Sequence, residues 1–128
     1  SIYLLGAKAD SAVCEEIMSQ CPEMNVINLA GQLSLLQSAA LMQDAEMYYV
    51  NDSAPMHLAS SMNALTTAIY CSTIPEFGFG PLSDVKKIVQ VSDKLDCRPC
   101  GLHGYTTCPA GHFKCAENIE IKDFDDKG

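Results

Sequence analysis

Seven consecutive residues, Asn51-Asp52-Ser53-Ala54-Pro55-Met56-His57, hold the first concentration of side chains that could do chemistry. Two short polar groups and a hydroxyl follow an apolar run directly. They precede a helix start marked by Pro55, which suits a first helical turn. A helix start carries free backbone N–H groups and a partial positive charge, so it can hold a phosphate. Asp52 is a fixed acceptor of the kind that sugar hydroxyls need. His57 falls within the first turn, where its ring could face the same ligand. The same residue types also make ordinary helix caps, with Asn51, Asp52 and Ser53 closing the helix start and His57 packing beside it.

A second concentration is sulfur. Cys97, Cys100, Cys108 and Cys115 crowd into 19 residues with the spacing C-x2-C-x7-C-x6-C, and His103 and His112 lie among them. Such ligands could make a tetrahedral structural zinc site, although the second pair is wider than in a typical ribbon. Reduced packing thiols and disulfides are the competing states, because connectivity cannot be read from spacing. The other three cysteines, Cys14, Cys21 and Cys71, sit in apolar segments and read as small buried hydrophobes. A secreted disulfide scaffold would spread its cysteines along the chain, so the pattern points to a cytoplasmic protein.

The elements that must position these groups alternate. Ile2 to Leu5 is a short apolar run ending at Gly6 and reads as a buried strand. Asp10 and Ser11 are N-cap candidates for a helix whose inner face is Val13, Cys14, Ile17, Met18 and Cys21, closed by Pro22. Asn25 to Leu29 is a second strand. Ser34 and Gln37 form a capping-box pair for a helix with Leu35, Leu36, Ala39 and Ala40 on its buried side. Met47 to Val50, Thr66 to Tyr70 and Lys87 to Val91 are further strands. The helix after Pro55 is predicted to run to Met62 and end at a left-handed Asn63. Ile74 to Asp84 is a loop, and the acidic tail Asp123 to Gly128 is expected to fray.

Uninterrupted apolar strands alternating with helices predict an α/β fold, a parallel sheet with helices on both faces. Residues 1–95 form the domain, and residues 96–128 its cysteine-rich loop and tail. In such sheets ligands bind beyond the carboxyl ends of the strands. Three loops leave strands there: Gly6 to Asp10, Asn51 to Pro55, and Cys71 to Pro81. The chain has 128 residues, 48% of them apolar, enough for one core and hardly enough for two. Eight Lys and Arg against 16 Asp and Glu give a net charge of -8, which argues against nucleic acid as a partner. It also argues against an anionic membrane surface. No apolar stretch reaches the length of a membrane helix. The opening Ser1-Ile2-Tyr3-Leu4-Leu5-Gly6 lacks an initiator Met and a charged leader, and reads as the interior of a longer protein. The G-x-G-x-x-G, P-loop and G-x-S-x-G fingerprints are all missing, which disfavours a Rossmann-type oxidoreductase and a serine hydrolase.

At these loops the chain resembles a known family. Asn51 to His57 is similar to the NDSGPMH-type motif of the ADP-heptose:lipopolysaccharide heptosyltransferases, glycosyltransferase family 9. Leu29-Ala30-Gly31-Gln32-Leu33-Ser34-Leu35 resembles the family's L-x-G-x-x-S-L segment, and Gly78-Phe79-Gly80-Pro81 its G-x-G-P loop. Cys97-Arg98-Pro99-Cys100, Cys108-Pro109, His112 and Cys115 resemble the cysteine run of the heptosyltransferase II branch. Together the matches span Gly6 to Cys115.

The resemblance implies a Rossmann-like half of a two-domain GT-B glycosyltransferase, the C-terminal half that binds the donor. It implies that Asp52 contacts the heptose of ADP-heptose and that Ser53, Ala54 and the helix start face the diphosphate. It further implies that His57 supports that site and that Leu33 lies near the adenine. Lys8 occupies the donor-side turn where the family often has an acidic ribose ligand, so that contact departs from the pattern. Ala54 replaces the usual Gly, and its methyl group would crowd an approaching phosphate. Asn63-Ala64-Leu65 stands where Gly-Thr-Pro is usual. The family reaction inverts the donor carbon and needs no cofactor. Its general base belongs to the N-terminal acceptor half, so no catalytic residue is expected within this chain. The partners implied are ADP-heptose, that acceptor half and, through it, the lipopolysaccharide core. The parent is expected in the cytoplasm, peripheral at the inner membrane. The competing readings are a zinc-binding interaction module and half of a nucleotide-sugar epimerase, the latter disfavoured by the cysteine run.

Overall fold

A computed structural model describes residues 1–125 of the chain. The chain divides into two compact units, Ser1–Leu41 and Met42–Gly128.

In the first unit, strand β1 (Ile2–Leu4) runs parallel to β2 (Val26–Asn28), with Tyr3 opposite Ile27. Helix α1 (Ser11–Gln20) makes the crossover. Only Cys14 of α1 is buried, and Met18 and Cys21 are half-buried on the same side. Val13 and Ile17, expected inside, are exposed. The inner stripe follows Ser11, Cys14, Met18 and Cys21, and Val13 and Ile17 lie about 100° away from it on a helix of 3.6 residues per turn. Asp10 precedes α1 without capping it. Its Oδ2 instead accepts the Ala7 N–H at 2.7 Å and ties the turn before the helix. Gly31 has φ +71°, and a Cβ there would meet Lys8 Cα at 2.7 Å, so only glycine fits.

Helix α2 (Leu35–Gln43) opens with the expected capping box. Gln37 N donates to Ser34 Oγ at 3.2 Å, and Ser34 N to Gln37 Oε1 at 2.9 Å. Its apolar face differs from expectation. Leu35 and Leu36 are 77% and 83% exposed and Ala40 is exposed, whereas Ala39 and Met42 are buried. Both leucines sit on the first turn of the helix, beside the cap.

The second unit holds a three-stranded parallel sheet in the order β3-β4-β5, formed by Tyr48–Asn51, Thr66–Tyr70 and Lys86–Gln90. Among the described residues the strands pair as β1-β2 and β3-β4-β5, all parallel, as the α/β pattern predicts. Central β4 is the most buried, with Thr66, Thr67, Ala68 and Tyr70 all inside, as expected for a strand covered on both faces. Edge strand β5 carries Lys86 and Lys87, charged residues that blunt an open edge. Lys87 Nζ reaches Asp125 O at 2.6 Å.

Helix α3 (Ala54–Ser61) follows β3 and sets Met56 and Ala59 into the core. Met56 packs there with Val50, Ala68 and Tyr70, and Tyr48 leans on the group. Full burial of one such side chain contributes about 1.5–3 kcal/mol. Asn63 has φ +51°, as its place after the helix predicts. Helix α4 (Lys114–Glu117) is a single turn that buries Cys115. Ile121–Phe124 forms a 3-10 turn, so the start of the acidic tail is structured, and Phe124 meets Tyr49 at a ring-centroid distance of 6.2 Å. The rest of the expected frayed tail, 126–128, lies outside the described residues. Among the described residues no helix is long and apolar enough to cross a membrane.

Candidate functional site

Strand register creates the site. Asn51 at the end of β3 stands opposite Ile69 of β4, and Asp52 N donates to Ile69 O at 3.1 Å. The segments leaving the two strands, Asp52–Ser53 and Cys71–Thr73, must then run side by side. Thr73 Oγ1 donates to Asp52 Oδ2 at 2.5 Å, across 21 positions of sequence. A hydroxyl bound to an ionised carboxylate makes a short, strong hydrogen bond and holds that carboxylate in one orientation.

Ser53 is the N-cap residue of α3, yet its side chain makes no capping bond. Its Oγ donates backward to Asn51 O at 3.3 Å. Asp52 is likewise engaged by Thr73 instead of the helix. The capping explanation of this trio therefore fails on geometry. The helix start faces a cavity of about 420 Å³. Asp52, Ser53, Ala54 and His57 line it, together with Cys71, Ser72 and Thr73, the rings of Phe77 and Phe79, and Leu102 and His103. A carboxylate, a helix N-terminus, two imidazoles and two aromatic faces around one cavity can receive a ligand that is partly anionic and partly hydroxylated.

Four of the six residues expected to bind donor thus meet at one cavity. The other two, Lys8 and Leu33, belong to the first unit. Lys8 is exposed and begins a short 3-10 turn, and Leu33 is half-buried. Sequence reasoning missed Thr73, Arg98 and Tyr70. It singled out the loop after β4 as one of three at the carboxyl edge, but nothing local marks Thr73 as the partner of Asp52.

Tyr70 lies in the core and anchors a loop that borders the cavity. It is fully buried, and its hydroxyl donates to Phe79 O at 3.1 Å, tying the Gly78–Pro81 loop to the core. Burial, with the nearby negative charges of Asp52 and Glu76, pushes its phenol up to about 12. Below pH 10 the phenol is protonated in both folded and unfolded chains, and pH has no effect through it. Between pH 10 and 12 the unfolded chain releases this proton and the native chain keeps it, so stability falls by about 1.4 kcal/mol per pH unit. Tyr70→Phe is expected to flatten that part of the pH profile. Equal slopes for both proteins in denaturant titrations across this range would disprove the assignment.

The four clustered thiols have distinct surroundings. Cys97 Sγ lies 3.9 Å from His112 Nε2, while Cys100 Sγ donates to Cys97 O at 3.1 Å. Cys108 Sγ accepts the Phe113 N–H at 3.3 Å, and backbone N–H groups led by Phe113 pull its thiol below the usual range. Cys115 is buried, and burial pushes its thiol up. All seven cysteines are free. Among the described residues no three His, Cys, Asp or Glu side chains could hold a metal ion. Cys97, Cys100 and Cys108 each have a local partner, and Cys115 lies near Cys100 and Cys108. His103, weighed as a ligand, lines the cavity instead.

The same stretch of chain matches known proteins. Residues 1–106 match the family model described as glycosyltransferase family 9 (heptosyltransferase). The chain is 33% identical over 94 residues to a lipooligosaccharide heptosyltransferase 2 of Haemophilus influenzae, covering 71% of this chain and 27% of that protein. It is 30% identical over 122 residues to a lipooligosaccharide heptosyltransferase 2 of Campylobacter jejuni, covering 93% of this chain and 37% of that protein. A solved structure of the E. coli ADP-heptose LPS heptosyltransferase II superposes with a TM-score of 0.64 at 26% identity, over 78% of this chain and 33% of that one. The chain spans roughly a quarter to just over a third of the length of the relatives it matches. With motifs, parallel α/β architecture and family match converging on the same residues, the chain belongs to glycosyltransferase family 9, the heptosyltransferases.

Proposed function

We propose that this chain is the donor-binding part of an inverting heptosyltransferase that uses ADP-heptose, with residues 1–95 as the binding domain and 96–128 as its cysteine-rich loop and tail. The observation that carries this reading is the Asp52 carboxylate, fixed by Thr73 beside a helix start that no side chain caps. Asp52 takes hydroxyls of the sugar. The N–H groups at the start of α3 and the Ser53 hydroxyl take the diphosphate, and stabilise it as it departs. His57 and His103 border the same space as supporting donors. Lys8 and Leu33 serve the nucleoside end.

Inversion also requires a base to take the proton of the acceptor hydroxyl. That base and the lipopolysaccharide-core acceptor belong to the remainder of the parent, a cytoplasmic protein peripheral at the inner membrane. A site open on the acceptor side lacks the orientation and water exclusion that lower such barriers. The 128-residue chain by itself is therefore expected to bind donor weakly and to transfer no sugar. Calorimetry with ADP and UDP tests the reading: ADP is expected to bind more tightly. A preference for UDP, or heptose transfer by the isolated chain, would sink it.

A further inference from the structure

Arg98 sits within the cysteine run, where spacing draws the eye to thiols. Its half-buried guanidinium meets three acceptors. Nε donates to Cys71 O at 2.7 Å, and Nη2 donates to Thr73 O at 2.9 Å and to Gln90 Oε1 at 2.8 Å. Two residues on, Cys100 N donates to Ser72 O at 2.8 Å. The carbonyls of Cys71, Ser72 and Thr73 are thus all received by Arg98 and Cys100. These three residues turn away from β4 and have no strand partner for their carbonyls, so the donors must come from elsewhere.

Gln90 explains why the fork lands where it does. It ends β5 opposite Tyr70, the last residue of β4, so its amide stands beside the point where the turn begins. Arg98 therefore spans from the sheet edge to the turn. A planar guanidinium can satisfy several diverging acceptors at fixed angles, and a lysine ammonium is a single flexible point charge that cannot reproduce that fork. The turn so held carries the Thr73 hydroxyl, which binds Asp52.

We propose that Arg98 is a positioning residue for the sugar-binding carboxylate. It acts through the Cys71–Thr73 turn and the Thr73 hydroxyl. This rests on the donor-site reading of Asp52, and it assigns the cysteine-rich segment a mechanical part in the site. Without the fork the turn loosens, Thr73 no longer fixes Asp52, and the carboxylate must be ordered again when sugar binds.

The test uses Arg98→Lys and Thr73→Val in the 128-residue chain, separately and together, with ADP-heptose and ADP as calorimetric ligands. Each single change is expected to weaken ADP-heptose by about two- to tenfold, the worth of one hydrogen bond, with ADP nearly unaffected. The double variant is expected to lose no more than the weaker-binding single variant, since both changes break one linked contact. Multiplying losses, or equal losses for ADP and ADP-heptose, would overturn the proposal. So would unchanged affinity with only a lower melting temperature. Thr73→Val removes one hydroxyl at constant shape and keeps the ADP comparison available if Arg98→Lys fails to fold. If the unaltered chain binds neither ligand, the donor-site reading falls. The positioning claim is then judged on the ligand-free protein by NMR. Arg98→Lys and Thr73→Val must both shift the amide resonances of Asp52 and Ser53, and unshifted resonances would refute it.

Discussion

Replacing Asp52 with alanine is expected to weaken ADP-heptose binding by about ten- to a hundredfold and to leave ADP almost unchanged. A hydrogen bond to a charged group contributes about 1.5–3 kcal/mol, and each 1.4 kcal/mol is tenfold in affinity. The selectivity follows from the division of labour at the cavity. On the proposed reading the carboxylate takes sugar hydroxyls, whereas phosphate meets backbone N–H groups that the substitution leaves in place. Thr73 is buried and its hydroxyl donates to Asp52, so the variant also leaves that donor short of a partner. A stability loss of about 1–3 kcal/mol should therefore accompany the affinity loss. Calorimetry with the two ligands and a denaturant curve separate these effects. Equal weakening of ADP and ADP-heptose would mean that Asp52 serves the helix start and not the sugar.

Tyr70→Ala is expected to cost about 3–5 kcal/mol of stability, the range for truncating a large ring in a packed core. A domain of this size holds about 5–15 kcal/mol in total, so the variant should sit near the edge of folding. The ring lies among Val50, Met56 and Ala68, where the strands and α3 converge, and of these only Met56 is flexible enough to fill part of the space. Tyr70→Phe keeps the ring and loses the hydroxyl's contacts with Phe79 O and Met56 Sδ, about 1 kcal/mol. Its smaller effect should appear instead as a looser Gly78–Pro81 loop at the cavity. Denaturant midpoints of the two variants decide the matter. A loss under 1 kcal/mol for Tyr70→Ala would mean that the core is not organised around this ring.

Local patterns carried the secondary structure well where a residue's own chemistry dictates it. Ser34 and Gln37 close a capping box because the pair needs only each other and two backbone groups within one turn. Asn63 takes a left-handed φ because its neighbours end a helix there. The position of Asp52 and Ser53 between a strand and a helix start was legible for the same reason. Helix faces were less so. Leu35 and Leu36 read as buried from hydropathy and stand in the open, since exposure depends on what the helix packs against.

What the sequence by itself determined is the class of fold, the candidate loops and the residue types offered to a ligand. It also held the family signature, because those motifs are contiguous and survive without knowledge of folding. Tertiary structure alone decided the pairings. Parallel registry set Asn51 against Ile69 and Tyr70 against Gln90, and from that came the contact of Thr73 with Asp52 and the reach of Arg98 to three acceptors. It also set the surroundings of the clustered thiols, with Cys97 beside His112 and Cys108 under the Phe113 N–H. The pairings of strands, of Thr73 with Asp52 and of Arg98 with its acceptors join groups brought together by chain crossovers. Spacing along the chain constrains groups within one turn or one strand, and has no hold on which distant segment arrives beside them.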